Sequence, residues 1–455
     1  MVFSSCIFLF VFLPVVYLLY CISPNIKVKN ALLIVASLFF YSFGEPIYIL
    51  LMIGSISVNY LLARWIAADK RSTGKGAVTI TILFNIGLLV VFKYAALLVT
   101  TFNTITGIGI RVPQIALPIG ISFYTFQALS YCIDVYRDKS CVQKNYWKLM
   151  LYISFFPQLI AGPIVKYHDI EKQLTQRQTT WQDTAEGMVR FVFGLSKKLF
   201  FANTMAVIVD TLYTTQINMA LTAWLVAICY CLQIYFDFSG YSDMAIGLGA
   251  MFGFRFQENF NYPYISGSIQ EFWRRWHISL STWFKEYLYI PLGGNRKGEK
   301  RTMLNKLIVF VCTGIWHGAN WTFLVWGLFH GLFITLEYKK LIPLKNKVWA
   351  HIYTMLVVIC GFVIFRAENI RQACHILKSM FTGFFVESGE QVLLAQIMNP
   401  YHICCLVLAV LFCAPVLNGI KKHTASKYAF AIVLLPLCFM NLATGSYNPF
   451  IYFRF

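Results

Sequence analysis

The sequence predicts an all-α polytopic membrane protein, and its composition and its long apolar stretches carry that prediction. Hydrophobic residues make up 58% of the 455 residues, charged residues make up 13%, and the mean hydropathy is +0.63. Soluble globular chains carry about 25% charged residues. Apolar stretches near the ~20 residues that cross a bilayer recur from end to end, so we expect roughly ten or eleven transmembrane helices. Residues 1–455 are predicted to form a single integral membrane domain. The clearest stretches are Val2–Tyr20, Ala31–Phe43, Ile47–Ile66, Val78–Phe102, Leu199–Leu212, Leu221–Phe236, Trp321–Leu336, Val348–Phe365, Ile403–Leu417 and Tyr428–Leu442.

The formal net charge of +19 has a topological explanation and needs no nucleic-acid partner. The basic residues fall in short loops between apolar stretches, as the positive-inside rule describes for cytoplasmic loops. Alternating the sides of the membrane from these loops places both termini outside the cytoplasm, in a multi-pass protein of the cell membrane. The first apolar stretch lacks a basic n-region and a small-residue cleavage site, so we interpret it as a retained span. The basic loops are Lys27–Lys29, Lys70–Lys75, Arg137–Lys148, Arg296–Lys306, Lys339–Lys347 and Lys421–Lys427.

Two segments depart from the pattern of simple spans. Leu149–Val165 is apolar but has basic loops on both sides, and Pro157 and Pro163 interrupt it. Because non-helical backbone at membrane depth is tolerated only beside protein or a water-filled cavity, we predict a re-entrant segment that lines an internal tunnel. Phe272–Leu288 has its aromatic residues on one arc of a helical wheel and most polar residues on the other, as in an interfacial helix. His277 falls near the edge of the apolar arc.

The best candidate for chemistry is His317, in the segment Gly314–Trp321. Ionisable groups at membrane depth are costly and mark functional sites, and histidine is suited to proton transfer near neutral pH. Apolar surroundings would keep this imidazole neutral, and Asn320 is close enough in sequence to orient it or to donate to an oxyanion. The alternative for His317 is a buried histidine that a backbone carbonyl satisfies. The alternative for His277 is a residue at the edge of an amphipathic helix.

Three further polar residues are candidates for the wall of the tunnel or for support of the site. His330 follows His317 by thirteen residues, which puts it on another face of any continuous helix, and Gly318–Asn320 is expected to break such a helix. We therefore predict a packing or supporting role for His330. Asp237 and Asp243 could line the tunnel or form a hydrogen-bonded structural knot. The histidines show no i, i+4 spacing, and no thiolate or carboxylate joins them at ligand spacing, so no metal site is predicted.

Motifs rich in tryptophan, histidine and glycine occur at Phe272–Ser281, Trp283–Arg296, Gly314–Trp321 and Trp326–Gly331. Together they resemble the signature of the membrane-bound O-acyltransferase family, and the resemblance runs over essentially the whole chain. Two further motifs resemble the branch that includes alginate and peptidoglycan O-acetyltransferases more than the branch that transfers D-alanine. These are Phe155–Ile164 and Tyr235–Gly247.

The resemblance implies an acyltransferase with a tunnel through the membrane. It would draw an acyl group, with acetyl as the leading candidate, from a cytoplasmic thioester donor, acetyl-CoA or another acyl thioester, and would bind no further cofactor. The acyl group would cross a bacterial plasma membrane for O-acetylation of an extracytoplasmic polysaccharide. The implied partners are membrane lipid, an extracytoplasmic transferase of the serine hydrolase type and, indirectly, the polysaccharide. His317 would be the catalytic base, and His277 would act at the cytoplasmic mouth beside the donor thioester.

The C-terminal segment Phe450–Phe455 has two interpretations. Aromatic residues collect at membrane surfaces, so the segment could be an interfacial anchor. It also resembles C-terminal tyrosine motifs of this family's acyl-transfer systems, which makes Tyr452 a candidate acyl carrier between the tunnel and the outer transferase. A phenol with a pKa near 10 is a poor nucleophile until a base takes its proton, and His317 could be that base.

Three alternative functions remain open at the level of sequence. The acyl group could be D-alanine destined for teichoic acid. The acceptor could instead be a lipid or a protein, which would need a lateral opening or a peptide-binding face, and the sequence gives no positive sign of either. A transporter or channel is expected to show an internal repeat or paired broken helices, and the sequence shows no such repeat.

Overall fold

The computed structural model describes residues 1–68, 74–416, 424–445 and 447–449, and these residues form helices, turns and irregular segments without any β-strand. The all-α prediction is confirmed for them. Several helices begin at an asparagine whose side chain accepts hydrogen bonds from backbone N–H groups of the first turn; these are Asn25, Asn145, Asn346, Asn369 and Asn399.

The α-helices, in chain order, are α1 (Leu13–Ile22), α2 (Ile26–Ser42), α3 (Tyr48–Ala68), α4 (Lys75–Leu89), α5 (Ala95–Thr106), α6 (Ile121–Arg137), α7 (Tyr146–Ser154), α8 (Phe156–Leu159), α9 (Tyr167–Ile170), α10 (Trp181–Ser196), α11 (Asn203–Leu212), α12 (Ala220–Met251), α13 (Ile269–Arg275), α14 (Ile278–Phe284), α15 (Glu299–His317), α16 (Trp321–Tyr338), α17 (Lys347–Arg366), α18 (Ile370–Thr382), α19 (Ser388–Ile397), α20 (Pro400–Phe412) and α21 (Thr424–Ala443). Turns of π-helix lie at Phe8–Phe12, Val90–Tyr94, Lys197–Ala202 and Lys285–Tyr289. Short 3₁₀ turns lie at Lys139–Cys141, Lys172–Leu174 and Pro263–Ile265.

Six helical segments of the described chain are long and apolar enough to cross a membrane. A seventh results if α19 and α20, which meet at an angle of 80°, form one bent span. A multi-pass protein is thus confirmed, while ten or eleven crossings around a tunnel stay a prediction. The predicted boundaries were too short in places, because the stretch Leu199–Leu212 belongs to a longer helical segment that starts at Trp181. The six segments are Tyr48–Ala68, Lys75–Thr106, Trp181–Leu212, Ala220–Met251, Lys347–Arg366 and Ala425–Ala443.

The described chain divides into two compact units. Unit 1 consists of Met1–Phe191 and Met244–Gln257, and unit 2 consists of Val192–Asp243 and the described part of Glu258–Phe455. Unit 2 contains every described residue that the sequence analysis proposed for the site. That the whole chain is one integral membrane domain stays a prediction.

In unit 1, the segment predicted to be re-entrant is buried and interrupted. The range 149–167 is buried throughout, and after α7 ends at Ser154 the chain forms only the short α8 before α9. The Tyr152 hydroxyl donates to the carbonyl of Val165 at 2.9 Å, which ties the start of the segment to its end. Non-helical backbone that protein groups satisfy in this way suits membrane depth. The place of the segment in the bilayer stays a prediction.

The predicted single interfacial helix over Phe272–Leu288 is wrong, because a break separates α13 from α14. At the break His277 has a φ of 44°, in the left-handed region that residues other than glycine seldom occupy. The N–H of Asn261 donates to the last carbonyl of α13, and the first N–H of α14 donates to the carbonyl of Asn259, both at 2.9 Å. A helical wheel assumes a constant rotation per residue and cannot reveal such tertiary partners. The break turns His277 into the core of unit 2, where the residue is 1% exposed.

Helices α15 and α16 of unit 2 pack against each other as an antiparallel hairpin. A Cβ atom at Gly314 would collide with the carbonyl oxygen of Phe323, and one at Gly327 would collide with the carbonyl oxygen of Phe310. Small residues at such contacts let two helices approach closely in a membrane. The close approach fixes the end of α15, which carries His317.

Candidate active site

His317 is the last residue of α15 and lies in a buried aromatic cluster. The helix ends there because Gly318 adopts an extended conformation and the next helix, α16, begins after the cap residue Asn320. The break predicted for this segment is therefore present. The His317 ring lies 5.1 Å from the rings of both Trp326 and Phe365, at nearly perpendicular angles. The residue is 8% exposed, so its imidazole is almost fully enclosed by protein.

The Asn320 side chain holds the turn that follows His317. Its Oδ1 accepts from the N–H of Thr322 at 3.1 Å, which caps α16, and its Nδ2 donates to the carbonyl of Glu368 at 2.7 Å, just beyond the end of α17. Both ends of the amide thus have structural partners. A hydrogen bond from Asn320 to an oxyanion stays a prediction, and the contacts present make it a residue that positions the α15–α16 turn.

His277 belongs to the same cluster as His317. Its ring lies 4.6 Å from Phe238 and 6.2 Å from Trp316, the neighbour of His317. Burial lowers the pKa of His277 well below its ordinary value, and His317 lowers it further because two nearby imidazolium charges would repel. Nδ1 of His277 lies 3.1 Å from Oδ1 of Asn259, whereas its buried Nε2 makes no hydrogen bond with any described residue. The site therefore contains a neutral imidazole with an unused nitrogen.

His330 packs against Trp326, the tryptophan that also contacts His317. The Trp326 ring is 5.0 Å from His330 and 5.1 Å from His317, so one indole contacts both imidazoles. Gly361 of α17 leaves room for His330, because a Cβ there would lie 2.6 Å from its Nε2. His330 is 2% exposed. His330 and His317 thus share one aromatic neighbour, and a packing or supporting role for His330 stays a prediction.

The indole N–H groups of Trp273 and Trp326 are buried in this cluster without a hydrogen-bond partner among the described residues. The two indole rings lie 5.5 Å apart. Nδ1 of His330 is also buried without a hydrogen-bond partner among the described residues. Leaving a buried donor unsatisfied costs about 1–3 kcal/mol, so these atoms mark a place where polar atoms of a bound ligand would fit. The two tryptophans were not among the site residues predicted from the sequence, although both lie inside the motifs.

Asp237 and Asp243 of α12 each form an ion pair with a lysine of the π-helical turn Lys197–Ala202. Lys198 Nζ lies 2.8 Å from Asp237 Oδ1, with both side chains under 5% exposed, and Lys197 Nζ lies 2.6 Å from Asp243 Oδ2. Buried charges persist only when they are paired. Of the two alternatives for these aspartates, the ion pairs resemble the structural knot more than the tunnel wall. Lys197 and Lys198 were not predicted as site residues, although a lysine inside an apolar run needs a charged partner.

The described part of the C-terminal tail lies against α11 and the same π-helical turn. Tyr447 donates through its hydroxyl to Asp210 at 3.0 Å, and the amide of Asn203 donates to the Asn448 side chain at 3.3 Å. The ammonium of Lys198 donates to the carbonyl of Pro449. Three successive residues are thus held by unit 2. Tyr452 lies outside the described residues.

The described residues contain no group of three or more His, Cys, Asp or Glu side chains arranged to hold a metal ion. Residues 142–374, which include α13 to α17, match the model of the membrane-bound O-acyltransferase family. The chain belongs to this family. As a membrane-bound O-acyltransferase it is an enzyme that transfers acyl groups, and the resemblance stated from its motifs is confirmed.

Some curated relatives of this membrane-bound O-acyltransferase align with its full length, and others align with about half of it. The probable alginate O-acetylase of Pseudomonas putida is 39% identical over 100% of both chains. The peptidoglycan O-acetyltransferase of Helicobacter pylori is 33% identical over 100% of this chain and 98% of its own. The teichoic acid D-alanyltransferase of Bacillus subtilis is 29% identical over 55% of this chain and 69% of its own.

Proposed function

We propose that this acyltransferase moves an acetyl group from a cytoplasmic thioester, acetyl-CoA or a related donor, across a bacterial plasma membrane for O-acetylation of an extracytoplasmic polysaccharide. The observation that carries the proposal is the pair of buried histidines in one aromatic cluster, in a chain that aligns end to end with an alginate and a peptidoglycan O-acetylating relative. D-alanyl transfer is the second candidate, because the D-alanyltransferase relatives align over about half of the chain.

The chemistry that the cluster supports is acyl transfer to a hydroxyl group. His317 takes the proton from the attacking hydroxyl, the oxygen bonds to the thioester carbonyl carbon, and the carbon–sulfur bond then breaks. The same proton leaves with the thiol. The unpaired indole N–H groups of Trp273 and Trp326 supply donors for the oxyanion of the tetrahedral intermediate. The surrounding aromatic rings exclude water, which would otherwise hydrolyse the thioester.

The aromatic cluster places His277 and His317 in one site, so we propose that both act on the same bound acyl group. His277→Ala should lower turnover of the thioester donor about a hundredfold, the low end of the effect of one proton-transfer group. The measurement is acyl transfer from labelled acetyl-CoA in membrane vesicles. An outer transferase assayed with a soluble acyl donor should be unaffected. If His277→Ala turns over the donor at the wild-type rate, His277 has a purely structural role.

Tyr452 is proposed as the acceptor of the acyl group inside the enzyme. The docking of Tyr447, Asn448 and Pro449 along α11 supports this, since it brings the chain to the buried Lys198–Asp237 pair three residues before Tyr452. Since three extended residues span at most about 11 Å, the Cα atom of Tyr452 can lie no further than that from the Cα atom of Pro449. An extracytoplasmic transferase of the serine hydrolase type is the proposed partner that takes the acyl group from the phenol to the polysaccharide.

The proposal for the whole pathway is tested by the ester content of the cell's surface polysaccharides. We expect cells that lack the protein to lose O-acetyl esters from one polysaccharide, and the wild-type gene to restore them. Loss of D-alanyl esters instead would establish the second candidate. Unchanged ester content in every surface polysaccharide would contradict the proposal. With both termini outside, as proposed, tags at either end should be accessible to reagents that do not cross the membrane.

A further inference from the structure

Asn259, in the irregular segment after α12, lies at the centre of a hydrogen-bond network that encloses one side of His277. The residue is 1% exposed. Its Oδ1 accepts from the N–H of Ser279 at 3.2 Å and from the Ser279 hydroxyl at 2.9 Å. Its Nδ2 donates to the Ser242 hydroxyl at 3.0 Å. The carbonyl of Asn259 also accepts the first N–H of α14, so the residue is held at both its side chain and its backbone.

The backbone N–H of Ser279 fixes which amide atom of Asn259 faces His277. A backbone N–H can only donate, so the atom that it meets must be the amide oxygen. A flipped amide would place two donors against each other. The same oxygen lies 3.1 Å from Nδ1 of His277. An unprotonated Nδ1 would set two lone pairs against each other at that distance, so Nδ1 must carry a proton.

We propose that Asn259 is a positioning residue that holds His277 in the Nδ1–H tautomer and leaves Nε2 as its basic nitrogen. Nε2 is buried and makes no hydrogen bond with the rest of the described chain. A nitrogen of this kind accepts a hydrogen bond from a ligand. The ligand chemistry is a hydroxyl donor, the class to which the proposed acyl acceptor belongs. That part rests on the proposed function, whereas the tautomer rests on the geometry alone.

The tautomer is observable without any activity measurement. In the full-length protein labelled with ¹⁵N-histidine, the signals of His277 are those lost in His277→Gln, and we expect a protonated Nδ1 and an unprotonated Nε2. Asn259→Leu should change the tautomer, because leucine has a side chain of similar size but no oxygen to accept a hydrogen bond from Nδ1. Asn259→Asp should retain it, since a carboxylate oxygen still accepts from Nδ1. Ser242→Ala is the matched control: it removes only the partner of Nδ2, keeps the amide oxygen that faces His277, and should leave the tautomer unchanged.

Acyl transfer supplies a second, independent readout. We expect Asn259→Leu to lower kcat about tenfold or more with KM for the thioester within about twofold, since a catalytic histidine in the wrong tautomer fails in the chemical step. Combined with His277→Gln it should cause no additional loss, because Asn259 acts through His277. An Nε2–H tautomer in the wild-type protein, an unchanged tautomer in Asn259→Leu, or additive losses in the double variant would each overturn the proposal. Failure of polysaccharide acetylation alone would overturn the proposed function and leave the tautomer standing.

Discussion

His317→Ala should abolish acyl transfer while the protein still inserts and folds. Removing one proton-transfer group typically lowers a rate by ~10² to 10⁴, and here the lost imidazole lies among Trp316, Trp326 and Phe365, whose aromatic rings supply no other base. The measurement is transfer of labelled acetyl groups from acetyl-CoA in membrane vesicles, with detergent-purified protein checked by thermal unfolding. His317→Gln fills more of the cavity and should be equally inactive.

The matched control is a histidine outside the cluster. His168 lies in unit 1 with 47% of its side chain exposed, beside Asp134 and Asp169, and His168→Ala should transfer acetyl groups at the wild-type rate. A His317→Ala protein that is folded and as active as this control would show that His317 is a packing residue. The catalytic assignment would then be wrong.

Tyr452→Phe should stop acylation of the polysaccharide while leaving the protein in the membrane at the wild-type level. The phenylalanine ring keeps the anchoring surface of the tail and removes only the hydroxyl that would carry the acyl group. We expect the ester content of the polysaccharide to fall to that of cells lacking the protein. A second measurement is direct: mass spectrometry of the wild-type tail should detect an acetyl ester on Tyr452.

Tyr428 provides a control for this substitution. It lies in α21 with the Lys427 ammonium 5.5 Å from the centre of its ring, and Tyr428→Phe should leave polysaccharide acylation unchanged. Undiminished acylation in Tyr452→Phe would mean that the tail is an interfacial anchor. Loss of acylation in both variants would point to a general requirement for tyrosines at this end of the chain and would also contradict the carrier role.

Much of the architecture follows from local chemistry that a sequence displays. The break after His317 could be predicted because Gly318 and Asn320 are residues that end and cap helices. The location of His330 on a different helix from His317 followed from the same predicted break. Asp237 and Asp243 raised the possibility of a polar knot because carboxylates at membrane depth need partners. In each case the deciding property belongs to the residue itself or to its neighbours in the chain.

What the sequence could not predict depends on partners far along the chain. The break at His277 exists because the segment around Asn259, 18 residues earlier, supplies backbone hydrogen bonds to it. An amphipathic pattern over Phe272–Leu288 is compatible with a continuous helix, so nothing local signals the interruption. The bounds of the spans were hard to predict for a related reason: a hydropathy window finds an apolar stretch such as Leu199–Leu212, but not the longer helical segment from Trp181 to which it belongs.

The contacts of Lys198 have a consequence for how the chain is made. This lysine belongs to an apolar helical segment, and its partner Asp237 follows it by 39 residues. Its ammonium also donates to the carbonyl of Pro449, which follows the lysine by 251 residues. At a synthesis rate of about 5–20 residues per second, roughly 10 to 50 s pass between translation of the lysine and translation of the proline. The buried ammonium therefore gains its acceptor at Pro449 only after a further 251 residues have been translated, long after its partner Asp237 has been made.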